Sequence, residues 1–302
     1  MKNNKYVGSV LVITAGVLWG LMGLFVRNLD KYGITSMQIV ALRAVFTALM
    51  MWVVTLVYDR KLFKIKLRDC WCFLGTGICS ILFFNFCYFR TITLTSLSAA
   101  AVLLYTAPIM VMVMSVFLFK EKLTVTKMIA AVIAFAGCAL VTGATDGRLA
   151  LNAIGVLTGI GSAFGYALYT IFGEYALKRG YNSITITLYT FIFASVGVLP
   201  LANLPDLAGK ITINPQILAW GAVLALVVTV LPYLIYTIGL RTVEAGKASV
   251  MATVEPVVAT LVGVIVFSEP LSVSGIAGII LVAASLAILN IKTEKENKYE
   301  EY

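Results

Sequence analysis

Long apolar runs, separated by short polar segments, fill most of this 302-residue chain. Each run has about 20 residues, enough for a helix rising 1.5 Å per residue to cross a hydrocarbon layer about 30 Å thick. Backbone groups in lipid must be satisfied within the segment, so these runs are expected to be helices. The ten predicted spans cover residues 7–26, 34–58, 70–92, 96–119, 125–143, 154–175, 183–204, 217–240, 246–267 and 272–291. The pattern therefore predicts an all-α polytopic membrane protein with ten transmembrane helices.

Composition supports this fold class and excludes several functions. The chain is 61% hydrophobic and 12% charged, whereas soluble domains are about 25% charged. The loops are short and contain no glycine-rich phosphate loop, which leaves no room for a nucleotide-binding domain. Histidine is absent, and with it the usual base and the commonest metal ligand. Cys70 and Cys72 match no usual metal or redox spacing. We therefore expect neither an enzyme nor a metal or cofactor site.

Loop charges predict the orientation. Of the 23 lysines and arginines, 17 fall on the side of the N-terminus and five on the opposite side, while Arg43 lies within the second span. Because cytoplasmic loops carry the excess of positive charge, both termini are expected to lie in the cytoplasm and the protein in the plasma or inner membrane. The net charge of +9 thus reflects topology in a lipid bilayer, and no nucleic-acid partner is expected.

The two halves of the chain resemble each other. Residues separated by 148 positions match at Tyr88 and Tyr236, Pro108 and Pro256, and Glu121 and Glu269; at an offset of 145, Gly16 matches Gly161 and Gly20 matches Gly165. An odd number of spans per unit makes the second copy enter the membrane from the opposite side. We therefore predict two inverted five-helix repeats, residues 1–148 and 149–302, around a central cavity, as in many secondary transporters.

Several segments resemble a known family. They are Ala15-Gly16-Val17-Leu18-Trp19-Gly20, the run RTVEAGKAS at 241–249, Glu255-Pro256, and Phe267-Ser268-Glu269-Pro270-Leu271-Ser272. In this order and spacing, the chain resembles the EamA family of the drug/metabolite transporter superfamily over essentially its whole length. The resemblance implies a cavity lined by helices 1, 3, 4, 6, 8 and 9. It also implies transport of small metabolites, most often export.

Glu255 is the main candidate for chemistry. It lies eight residues after Lys247, about 12 Å deep at 1.5 Å per residue. A carboxylate buried there costs roughly 3 kcal/mol, so it must be protonated, paired or in a hydrated cavity. Each state suits cation recognition or coupling to protons, and Pro256 frees a backbone carbonyl nearby. The alternative is a structural hydrogen bond between helices. The counterpart in the first half is Ala107, so the predicted site is asymmetric in charge.

Arg43 is the other intramembrane charge. Its guanidinium either extends to the outer surface or binds a substrate carboxylate through two hydrogen bonds. An arginine here resembles the family pattern, and the second helix is expected to be peripheral, which favours a structural role. Arg43 is also a candidate charge partner of Glu255.

Aromatic and polar residues mark the helices expected around the cavity. The candidate substrate-binding residues besides Glu255 are Trp19, Asn85, Tyr88, Tyr105, Tyr166, Tyr169, Tyr233 and Tyr236. Rings around a carboxylate attract an organic cation by roughly 0.5–2 kcal/mol per ring. Alternatively, these rings belong to interfacial belts or fill gaps between helices.

Small residues and prolines are expected to permit movement. The glycine pairs Gly16 and Gly20, and Gly161 and Gly165, let helices approach closely and slide. These four glycines are predicted to be conformational residues together with Pro108 and Pro256.

These features predict a secondary active transporter for a small-molecule substrate. We expect it to export an amino acid or amine-bearing metabolite by alternating access, driven by a proton or substrate gradient. The alternatives are an importer or exporter of an organic cation such as choline and a multidrug efflux pump. A channel is disfavoured because Glu255 has no symmetric counterpart. The protein is expected to act as a monomer or homodimer.

Overall fold

The regular structure is helical throughout the described part of the chain. The computed structural model describes residues 2–143 and 152–299, with side chains at 6–143 and 152–289. Within these ranges, eight helices are long and apolar enough to cross a membrane, and two shorter apolar helices accompany them. The predicted boundary between repeats, at residues 148 and 149, lies outside the described residues.

Each predicted span coincides with one apolar helix. In chain order, these helices are α1 (Tyr6–Asp30), α2 (Ser36–Tyr58), α3 (Leu67–Leu94), α4 (Leu97–Phe119), α5 (Val125–Val141), α6 (Ala153–Lys178), α7 (Ser183–Leu201), α8 (Gln216–Gly239), α9 (Ala245–Phe267) and α10 (Val273–Leu289). The prediction of an all-helical protein is thereby confirmed. The helix that contains α10 continues to Tyr299, and a further short helix, Leu204–Ile213, connects α7 to α8.

Two helices are interrupted just before a proline. In α4 the break at Tyr105 and Thr106 precedes Pro108, and in α9 the break at Ala252 and Thr253 precedes Pro256. Proline has no N–H group and clashes with the preceding turn, so it is tolerated only where a new helical segment begins. The sequence therefore divides both helices into two halves near their middle.

Two other helices contain wider π-helical turns that were not predicted. They cover Gly75–Leu82 in α3 and Leu226–Val230 in α8. A π-helical turn accommodates an extra residue within one wider turn of the helix. Residues 226–230 lie 148 positions after 78–82, so the same irregularity occurs at matching places in both halves.

Contacts near residues 62–69, 119–127, 174–182 and 241–246 form what we call the first end of the helix bundle. There the Glu121 carboxylate accepts hydrogen bonds from the backbone N–H groups of Ala245 and Gly246, at 2.8 and 3.2 Å. Arg179 and the Tyr181 hydroxyl both donate to Asp69 at 2.9 Å. Burial raises the pKa of the Tyr181 hydroxyl. The first end is therefore held by contacts between loops and helix termini.

Contacts near residues 27–38, 94–97, 152, 203–216 and 267–271 form the second end. Arg27 pairs with Glu269 and lies over the Phe267 ring, 4.2 Å from its centroid. In the Leu204–Ile213 helix, hydrogen bonds from Lys210 and Gln38 lower the pKa of Asp206. Seven of the described helices have one terminus near the first end and the other near the second, namely α2, α3, α4, α6, α7, α8 and α9.

Candidate functional site

A narrow cavity lies among α1, α3, α6 and α8. Its volume is about 20 Å³, room for about one water molecule. The lining residues are Trp19, Ser80, Ile81, Phe84, Tyr166, Tyr169, Thr170, Tyr233 and Tyr236. Five of the predicted aromatic residues therefore meet around one space, and a metabolite requires this space to widen.

The rings of the cavity pack edge to face. The Trp19 ring lies 5.2 Å from Tyr233 and 5.3 Å from Tyr236, measured between centroids, and Tyr169 lies 4.7 Å from Tyr233. Such arrangements are favoured because the positive ring edge faces the negative ring face. Contacts between neighbouring rings therefore hold these side chains in place around the cavity.

Threonines fix two of the tyrosines. The Tyr169 hydroxyl is 3.1 Å from Thr237 Oγ1, and the Tyr236 hydroxyl is 2.8 Å from Thr170 Oγ1. Both hydrogen bonds connect α6 with α8 inside the bundle. Buried hydroxyl groups need such partners, so these tyrosines combine a packing role with their position at the cavity.

Glu255 lies in the first turn of the second half of α9, which begins at Val254. A carboxylate in this position interacts favourably with the N-terminal end of the helix dipole. The Tyr166 hydroxyl donates to Glu255 Oε2 at 3.2 Å. Because Tyr166 also lines the cavity, this hydrogen bond connects the carboxylate to the aromatic residues around the cavity.

Tyr88 and Tyr105 also lie within electrostatic range of Glu255. Tyr88 packs against Phe84, with centroids 5.8 Å apart, whereas Tyr105 packs beside Val257 and the cluster around α5 and α10. Glu255, Tyr88 and Tyr105 are all half-buried. They therefore extend the candidate site from the cavity along α3, α4 and α9.

Arg43 is buried within α2, with 6% of its surface exposed. It does not extend to the outer surface, as one of the two sequence interpretations required. Its Nη1 donates to Met22 Sδ at 3.7 Å. Arg43 lies within electrostatic range of Glu255 and Tyr233, but in the part of the chain that the structure describes it forms no ion pair with Glu255.

The glycines of α1 bring its backbone directly onto α9. A Cβ atom built on Gly20 would lie 2.6 Å from Val258 Cβ and 2.7 Å from the Glu255 carbonyl oxygen. A Cβ atom on Gly16 would lie 2.6 Å from Val254 Cγ1. Only glycine permits such approaches, so the predicted close packing occurs where α9 is interrupted.

Replacing Gly20 with alanine is expected to destabilise the protein by about 1–3 kcal/mol. The added methyl group must push α1 away from α9 beside Glu255, so transport should fall as well. Thermal unfolding in detergent measures the loss of stability. Gly23→Ala is the matched control, because a Cβ at Gly23 would meet no heavy atom of the described residues within 4 Å. Equal melting temperatures for the two variants would contradict the prediction.

The two glycines of the second pair, Gly161 and Gly165, differ in how closely another helix approaches them. A Cβ on Gly165 would lie 2.9 Å from the backbone nitrogen of Phe84, whereas a Cβ on Gly161 would lie 3.4 Å from Cys87 Sγ, an ordinary contact. Close approach between α6 and α3 therefore depends on Gly165 and much less on Gly161.

Asn85 lies apart from the cavity. Its side-chain amide donates to the Ile81 carbonyl oxygen of its own helix at 2.7 Å, and it is absent from the cavity lining. Sequence reasoning missed Phe84 and Ser80, although both precede Tyr88 at four-residue intervals and helical periodicity would have indicated them. Among the described side chains, no three His, Cys, Asp or Glu residues are grouped to hold a metal ion.

Comparison with known proteins extends these observations to the whole chain. The model of the EamA-like transporter family matches residues 6–143 and 153–291. An Archaeoglobus fulgidus protein named as an uncharacterized transporter is 27% identical over 289 residues, covering 93% of this chain and 95% of the relative. Another uncharacterized transporter of that organism is 30% identical over 194 residues, covering 64% of this chain and 68% of the relative.

A solved crystal structure shares the fold. It aligns with a TM-score of 0.77 and 17% sequence identity, covering 95% of this chain and 98% of that chain. The apolar helices and the two family-model matches show that the chain is a multi-pass membrane protein. Because the family model matches twice and covers most of the sequence, the chain belongs to the EamA-like transporter family, as the sequence motifs predicted.

Proposed function

We propose that the protein is a secondary active transporter that exports a small amine-bearing metabolite by alternating access. The observation that carries this proposal is the position of Glu255, beside a helix interruption and hydrogen-bonded to a tyrosine of the aromatic cavity. Interrupted helices that meet near the midplane form the binding sites of many transporters. In this proposal the carboxylate binds the cationic group of the substrate or a coupling proton.

The aromatic residues supply the rest of the cation site. The ring centroids of Tyr233 and Tyr236 both lie within 5.3 Å of the Trp19 centroid. The face of each of these three rings attracts a cation. Neutralisation of Glu255 by a proton would weaken the attraction for a substrate cation. Exchange of substrate for proton at one carboxylate is the coupling that we propose.

Matching contacts at the two ends support alternating access. Lys120 and Ser268, 148 positions apart, both have positive φ angles, and the N–H groups of Glu121 and Glu269 both donate six residues back along the chain. The two carboxylates have different partners: Glu121 binds the N-terminus of α9, whereas Glu269 binds Arg27. We infer that this conformation is closed at the first end. In the opposite conformation Glu269 would bind the N-terminus of α4, around Leu97.

The loop charges assign the first end to the cytoplasm in this proposal. The conformation described would then be closed toward the cytoplasm. The half-buried Glu255, Tyr88 and Tyr105 would face the pathway toward the opposite side. The two halves would be inverted repeats that exchange these states.

A second candidate function is transport of a quaternary amine such as choline. The observation that favours it is the number of ring faces around the cavity, since aromatic cages bind quaternary ammonium groups. Import and export are both compatible with such a substrate.

Counterflow in proteoliposomes tests the proposed function. Vesicles are preloaded with a mixture of the twenty amino acids, choline and polyamines, and uptake of the same isotope-labelled compounds is measured by mass spectrometry. A carrier is expected to show faster uptake of its substrate when that substrate is inside. Uptake without such stimulation would indicate a channel, and no uptake of any compound would contradict the amine-bearing substrate class.

A further inference from the structure

Buried hydrogen-bond donors without an acceptor lie on α1 and α2. In the described part of the chain, Nε and Nη2 of Arg43 are buried and unpartnered, and so is Nε1 of Trp19. Arginine and tryptophan side chains donate hydrogen bonds and accept none. Leaving such groups unsatisfied costs free energy, above all for a buried charge. The group that would satisfy them is an acceptor, and for the guanidinium an anion.

The two unpartnered nitrogens of Arg43 share one edge of the guanidinium plane. Through such an edge, arginine binds a carboxylate by two parallel hydrogen bonds. The remaining nitrogen, Nη1, already contacts Met22. The unpartnered edge is therefore suited to a planar anion such as a carboxylate.

The neighbours of Arg43 connect this edge with the cavity. Met22, which Arg43 contacts, lies three residues after Trp19 on α1, and Val40 and Ala44 of α2 belong to the same buried cluster as Trp19 and Tyr233. The Tyr233 ring lines the cavity and lies 5.2 Å from Trp19, and it is within electrostatic range of both Arg43 and Glu255. Although Arg43 and Glu255 act on each other electrostatically, they form no ion pair in the described structure. Tyr233 is therefore near one positive and one negative group that do not pair with each other.

We propose that Arg43 binds the carboxylate of the substrate, and that the substrate is a zwitterion carrying an amine and a carboxylate, as an α-amino acid does. This inference rests on the proposed function, in which Glu255 binds the amine. It narrows the substrate class from amines in general to amino acids. It also explains why an arginine is buried without a hydrogen-bonded counter-ion.

A paired ligand panel tests the inference on the purified full-length protein. Each of the natural amino acids is compared with its decarboxylated amine and with its amide, and the affinity is measured by thermal shift and calorimetry. At least one amino acid should bind, and removal of its carboxylate should weaken binding about ten- to hundredfold.

Variants of Arg43 separate recognition from a structural role. Arg43→Gln should reduce the affinity for the amino acid to that for its amine, while the affinity for the amine stays within about twofold. Arg43→Lys keeps the charge but loses the paired donors, and should recover only part of the affinity. Arg90→Gln is the control, because Arg90 is exposed on α3 and should leave both affinities unchanged.

The outcomes distinguish the two proposals. Binding of an amine that Glu255→Gln abolishes and Arg43→Gln leaves unchanged, without preference for the amino acid, would overturn the zwitterion inference and keep the proposed function. If neither amines nor amino acids bind the wild type, both proposals are overturned. A purely structural Arg43 predicts that Arg43→Gln lowers the melting temperature and leaves the ratio of the two affinities unchanged. That result would also overturn the inference.

Discussion

Replacing Glu255 with glutamine is expected to lower transport about a hundredfold while the protein stays folded. The loss follows because glutamine keeps the size of the side chain and an acceptor for the Tyr166 hydroxyl but removes the charge that would bind a cation or proton. Removing one partner of a buried charge interaction costs about 2–5 kcal/mol. Initial rates of counterflow in proteoliposomes measure the effect.

The stability of the Glu255→Gln variant, unlike its transport rate, is not expected to fall. An intramembrane carboxylate is costly to bury, so Glu255→Gln should leave the melting temperature in detergent unchanged or raise it. The residual flux of the variant should no longer depend on pH. Glu174→Gln is the matched control: Glu174 is also in a membrane helix but pairs with Lys178 one turn away, so its flux should remain near that of the wild type. A Glu255→Gln protein with normal, pH-dependent flux would remove Glu255 from the mechanism.

Replacing Glu121 with glutamine is expected to shift the protein away from the conformation closed at the first end. The carboxylate binds two backbone N–H groups at the N-terminus of α9, and glutamine provides one acceptor oxygen and no charge. Loss of such a cap costs about 1 kcal/mol, which changes a conformational equilibrium about fivefold. Glu269→Gln should have the opposite effect, because the cap proposed for the other conformation is worth more than the exposed ion pair with Arg27 that the variant also loses.

Spin-label distances measure this shift. One pair of labels is placed at the first end, on exposed residues 122 and 241, and another at the second end, on exposed residues 97 and 271. The five native cysteines are replaced beforehand. Glu121→Gln should lengthen the distances at the first end and shorten those at the second, and Glu269→Gln should do the reverse. Shifts in the same direction for both variants would contradict reciprocal closure.

The sequence predicted the helices because lipid leaves few alternatives. Apolar length decides where a helix crosses, and Pro108 and Pro256 decide where α4 and α9 are interrupted. Glu255 was found because one carboxylate in an apolar run needs an explanation. Five of the candidate aromatic residues line the cavity, on helices that the family resemblance indicated.

Other features depend on contacts that periodicity does not encode. Asn85 has a polar side chain on the expected helix, yet it is satisfied by its own backbone. The burial of Arg43 depends on how α2 packs against its neighbours, and one apolar helix resembles another in sequence. Likewise, the position of Glu121 near a helix end does not reveal its partner on a distant helix, which followed only from the fold.

The π-helical turns have a consequence for how this architecture diversifies. An extra residue in Leu226–Val230 precedes Tyr233 and Tyr236. The wide turn absorbs this residue locally, so the part of α8 that follows keeps the orientation of an uninterrupted helix, with both tyrosines at the cavity. An extra residue in an ordinary α-helix would instead rotate everything after it by about 100°. Relatives can therefore gain or lose one residue at these turns without redirecting the aromatic side chains that follow.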